Sequence, residues 1–159
     1  MTTYTIHAID PTVVKQLLIA DDAGQAPRLS IDAEGGSPLR CCLRYAEPGA
    51  HIALVSYRPL REWADETGAE PGPYDERGPV FVHADGCPGP VASMPYEGEP
   101  RHRTLRAYAA DGHILGGRLV EADEVHERVL ADMFADDEVA LVHVRAVEFG
   151  CFLYAAQRA

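Results

Sequence analysis

Lysine is almost missing from this chain: Lys15 is the single lysine among 14 basic residues. The bias matches a coding sequence rich in G and C, and it gives nearly every base a rigid fork suited to carboxylate or phosphate. Positive charge is scarce overall, with 25 acids against those 14 bases and a formal net charge of -11. An acidic chain repels phosphate backbones, so nucleic acid is excluded as an expected partner. No apolar run approaches the ~18 residues of a membrane span, so no membrane partner is expected either. The start "MTTYTIHAID" lacks a basic opening followed by an apolar stretch, and no signal peptide is expected. Cysteine is sparse, at 4 residues with two of them adjacent, which is no disulfide framework. Reduced thiols and a cytoplasmic location follow. There is no G-x-S-x-G, no G-x-x-x-x-G-K and no G-x-G-x-x-G, so no cofactor is expected. C-x-x-C and H-x-x-x-H are also missing, and no metal ligands are assigned. Cys42, His83, Cys87, His143 and Cys151 would serve zinc only if the fold gathered them.

What is present describes an ordinary globular chain. Its 159 residues are 47% hydrophobic, which fits a single domain over residues 1–159. "YTIHAI" reads as a first strand. Asp10 and Pro11 give a cap and a proline at the start of an amphipathic helix over Pro11–Ala20, with Val13, Val14, Leu17 and Leu18 at helical spacing. A turn-rich loop over residues 21–38 follows. "LRCCLRYA" and "HIALVSYRP" alternate around the turn at Glu47–Gly49 and predict a hairpin. Residues 60–78, acidic and broken by glycine and proline, read as a long solvated loop with one helical turn admissible around Trp63. "PVFVHA", "RTLRAYAA" and the segment after Asp111-Gly112 are strands. A helix spans roughly Ala122–Phe134. "VALVHVRAV" and "FGCFLYAAQ" form a closing hairpin. The expected fold is α+β: a mainly antiparallel sheet of about seven strands with two amphipathic helices.

Strand alternation points to one set of polar residues. Arg106 shares a face with Tyr108, His143 with Arg145, and Arg40 with Cys42 and Arg44. Buried charges are costly unless paired, so these groups either face water or line a polar hollow. If Arg40, Arg106, Tyr108, His143 and Arg145 converge, the hollow suits a small anionic molecule. His83 and Cys87, separated by an Asp-Gly turn, are candidate catalytic residues: a nearby imidazole lowers a thiol pKa, and Asp85 could orient the ring. Cys41 and Cys42, on one strand, would point to opposite faces. Two alternatives stand beside the pocket. One is a non-enzymatic interaction module working through the acidic stretch Glu62–Glu76, and the other is a metal-stabilised module. Whether the protein is an enzyme, and whether it forms homo-oligomers, stays open at this point.

"PLRCCLRYAEPGAHIALVSYRP", "GPVFVHADGC", "LRAY" and "VHVRAVEFGC", taken in order, resemble the bacterial family known as domain of unknown function 1203. The resemblance runs from about Pro38 to the end. It implies a small soluble single-domain protein with no assigned reaction, so no catalytic role carries over. It emphasises Arg40, Cys42, Leu43, His83, Cys87, Arg106, Tyr108, His143, Arg145 and Cys151. Leu39 stands where the family pattern often has a cysteine, which counts against a zinc or disulfide reading built on a Cys-Arg-x-Cys unit.

Overall fold

The computed structural model describes residues 3–98 and 101–159. They form an α+β structure that separates into two compact units, each with its own sheet of five strands. The first unit is built from the N-terminal strand, residues 58–76 and the C-terminal part of the chain; the second holds residues 8–57 and 77–98.

In the first unit, β1 (Tyr4–His7), β7 (Arg103–Tyr108), β8 (Ile114–Val120), β9 (Leu141–Arg145) and β10 (Phe152–Arg158) make an antiparallel sheet of order β1-β10-β9-β7-β8. The closing hairpin β9–β10 forms as the alternation predicts. Central position buries both faces of β9, so Leu141, Val142, His143 and Val144 are all enclosed. Two helices join this sheet's unit, α2 (Pro59–Thr67) and α3 (His126–Phe134). Leu60 and Trp63 of α2 pack in one cluster with Tyr108 and Leu141. Phe134 of α3 stacks on Tyr4.

The second unit carries α1 (Pro11–Leu17), β2 (Arg28–Asp32), β3 (Pro38–Leu39), β4 (Arg44–Tyr45), β5 (Ala50–Tyr57) and β6 (Gly78–His83), with sheet order β2-β5-β6-β3-β4. All pairs are antiparallel except β3 with β6. Helix α1 starts as its sequence dictates: the Asp10 carboxylate accepts from the Thr12 amide, and Pro11 occupies the first turn.

Four expectations need correction. The described residues hold ten strands and three α-helices, not about seven and two. Residues 60–67 are helical, not loop, because Leu60, Trp63 and Ala64 recur at helical spacing and are buried. "LRCCLRYA" is no strand: Arg40–Leu43 form a tight turn closed by the Leu43 amide on the Leu39 carbonyl at 2.9 Å, with Leu43 at φ 62°. The expected hairpin is therefore replaced. β4 pairs with β3, and β5 pairs with β2 and β6.

Candidate metal centre

The turn that breaks "LRCCLRYA" changes where its cysteines go. On a strand they would diverge. On this turn both are buried, Cys41 at 4% exposure and Cys42 at 0%. Both reach the end of β6. Cys41 Sγ lies 3.4 Å from His83 Nδ1 and Cys42 Sγ lies 3.7 Å from the same nitrogen. The His83 backbone amide also donates to Cys41 Sγ at 3.2 Å. The loop after β6 brings Cys87 to the same point. The ligand atoms of Cys41, Cys42, His83 and Cys87 all lie within 4.8 Å of one another.

Backbone hydrogen bonds hold this arrangement. The Arg40 amide donates to Phe81, and its carbonyl accepts from Ile9, which fixes the turn between α1 and β6. The Val91 amide donates to the Cys42 carbonyl at 3.0 Å and the Tyr96 amide to the Leu43 carbonyl at 2.9 Å. The buried Tyr96 hydroxyl then donates to the Leu39 carbonyl at 3.0 Å. The loop bearing Cys87 is thus sewn onto the cysteine turn beyond the cluster. The Cys42 thiol is pulled below the ordinary thiol range, first because the Cys41 S–H donates to its thiolate, with the Arg44 amide and His83 adding to the effect. The Cys41 thiol is pushed up by its thiolate neighbour and by burial.

The sequence-derived sites separate accordingly. His83 and Cys87 are brought together, and the cluster adds Cys41, which sequence reasoning set aside. Cys151, by contrast, lies in the first unit, as does His143. Of the five expected anion-binding residues, Arg106, Tyr108, His143 and Arg145 share the first unit's sheet, with Arg106 opposite His143 in the β7–β9 register. Arg40 belongs to the second unit, where its guanidinium donates to the Pro38 carbonyl. The arginines of the first unit already hold an anion, because Glu76 Oε1 accepts from both Arg106 and Arg145. Arg106 also reaches the Tyr108 hydroxyl at 3.3 Å, and Arg145 Nε the Gly150 carbonyl at 3.0 Å. Glu76 ends the stretch expected to meet a partner. Its neighbour Asp75 turns inward too, accepting from Arg58 and Arg61. No helix among the described residues is long and apolar enough to cross a membrane.

One comparison with known proteins is informative: the sequence model of a family described as "Protein of unknown function (DUF1203)" matches residues 36–158. No curated protein and no solved structure matches.

Proposed function

Since the chain belongs to the DUF1203 family of proteins of unknown function, we propose a role read from its site alone: a module that holds one thiophilic divalent cation, zinc in the simplest case, between Cys41, Cys42, His83 and Cys87. The observation that carries the reading is the 4.8 Å limit on every separation within the set. Zinc–sulfur bonds of about 2.3 Å place tetrahedral donors roughly 3.8 Å apart, so closure on a metal needs movements of no more than about 1 Å. Three thiols and an imidazole are the soft donors that select zinc over magnesium or calcium.

This reading accounts for more of the cluster than a Cys87–His83 nucleophile and base. A nucleophilic pair needs one thiol and one imidazole, and would leave two further thiols beside it without a role. The ion pairs at Glu76 are read as structural, because an internal carboxylate fills the place of a ligand anion. A reducing, cytoplasmic setting suits the four free cysteines. Residues 1–159 are taken as one domain, because each unit is assembled from separated pieces of chain.

Elemental analysis of protein purified without added metal tests the proposal. About one equivalent of zinc per chain is expected for the wild type and for Cys151→Ser. Cys42→Ser should retain below about a tenth. A wild-type protein that neither carries metal nor develops a thiolate-to-cobalt absorption band on titration with Co²⁺ overturns it.

A further inference from the structure

A cavity of about 310 Å³ lies against the cysteine cluster. Pro11, Val14 and Lys15 of α1 and Leu18 just after it line the cavity. Cys41 and the segment from His83 to Cys87 line it as well. Resting on the metal-binding reading above, we propose that Cys87 is the exchangeable ligand of that centre, and that the cavity admits a small thiol bearing a carboxylate in its place.

The four donors are restrained very unequally. Cys41 and Cys42 are buried on a turn tied by backbone bonds to Ile9, Phe81 and Val91. His83 is a strand residue, paired with Ile52 across β5 and β6. Cys87 is exposed and lies outside any helix or strand, between two glycines in left-handed conformation, Gly86 at φ 65° and Gly89 at φ 85°. With two donors buried on the turn, one on a strand and one on an exposed loop, Cys87 is the donor whose departure disturbs the fold least. The walls of the cavity then define the visitor. Val14 and Leu18 offer apolar contact to a short carbon chain. Lys15, the only lysine of the chain, puts an ammonium on the same helical face. The acid on the cavity wall, Asp85, has His51 Nδ1 at 3.7 Å. Lys15 and the donors Cys41, His83 and Cys87 line the same hollow, so a carboxylate and a sulfur on one molecule each have a partner there.

The exchange balances without a further reactant. The incoming thiol transfers its proton to the Cys87 sulfur. The metal–Cys87 bond breaks, and a metal–sulfur bond to the visitor forms. One thiolate replaces another, so the charge of the centre is unchanged, and softness is matched like for like.

The test uses full-length protein loaded with Co²⁺ under argon, with 3-mercaptopropionate as the probe and propionate and 2-mercaptoethanol as separate arms. The expected result is a shift of the thiolate-to-cobalt band with 3-mercaptopropionate at millimolar concentration, with cobalt still bound after desalting. The other two should bind at least about tenfold more weakly. Lys15→Met should keep the starting spectrum and lose that tenfold advantage. Cys87→Ser should take the probe more tightly than wild type. The inference is overturned by an unmoved band, by cobalt stripped into solution, by equal responses to all three probes, or by an unaltered affinity in Lys15→Met. Failure to bind cobalt before any probe is added instead overturns the metal centre itself.

Discussion

His143 is fully buried, and neither ring nitrogen has a hydrogen-bond partner among the described residues. Its imidazole packs edge-on against Tyr108 and Phe152, with ring centroids 4.9 Å away in both cases. Burial first, then the nearby Arg145 and Arg106 charges, hold its pKa down at about 3. In the unfolded chain the ring takes a proton below about pH 6.5, whereas the folded ring stays neutral until about pH 3. Its contribution to stability is therefore complete above pH 6.5 and is lost as pH falls through that window, at up to about 1.4 kcal/mol per pH unit. His143→Phe should remove that dependence, so that it loses about 2 kcal/mol less than wild type between pH 6.5 and 5 in urea titrations. Equal losses in the two proteins would show that the imidazole is not held neutral. Alternation placed this residue correctly on a face with Arg145, but it could not reveal that a central strand covers both faces. Leu43 presents the converse difficulty. Nothing in a leucine signals a left-handed backbone, yet Leu43 takes one at the end of the turn on which Cys41 and Cys42 meet His83. The pairing of His83 with Cys87 was legible because only an Asp-Gly turn separates them. Cys41 was not, because its place depends on the turn.

At the scale of elements, α2 shows how a signal can be present and still mislead. Pro59 sits in the first helical turn and Gly68 caps the end at φ 78°, both ordinary helix punctuation. Read from the strand before it, however, Pro59 is equally a strand stop, and the acids of "LREWADET" suggest a solvated loop. Packing decides between the two, because Leu60 and Trp63 enter the core beside Tyr108 and Leu141. Leu60 is completely buried, so Leu60→Ala should cost about 2–5 kcal/mol in chemical unfolding. Exposed Leu119→Ala should change stability by less than about 0.5 kcal/mol. A small effect at Leu60 would mean that the helix is peripheral. Strand β2 was missed for a different reason. Its apolar residues, Leu29 at 68% and Ile31 at 63% exposure, do not face a core, and the strand exists by edge pairing with β5. A segment ordered by its partner's backbone carries little of that order in its own side chains. By contrast α1, β9 and β10 were legible, since α1 carries its own cap and the apolar runs of β9 and β10 are buried.

For the whole molecule, the decisive feature is connectivity. The chain passes between its two compact units after His7, after Tyr57, after Glu76 and again between Gly98 and Arg101. Neither unit is a continuous segment, so each is closed by chain that passes through the other. On the single-domain proposal the two units unfold in one cooperative transition. The protein carries its own reporter for this. Its only tryptophan, Trp63, is buried in the first unit, whereas Cys41, Cys42, His83 and Cys87 all lie in the second. Metal that binds only the folded second unit at about 100 times its dissociation constant adds roughly 2.7 kcal/mol to that fold. If the two units share one transition, the midpoint followed by Trp63 fluorescence should rise by about 5–10 °C on adding zinc, and fall back with a chelator. Far-ultraviolet circular dichroism should move in step. A Trp63 transition indifferent to zinc, beside a second transition that responds, would mean that the units fold separately and that residues 1–159 are two domains. The measurement thus separates the metal centre from the cooperativity, because zinc can stabilise its own unit whether or not the tryptophan reports it.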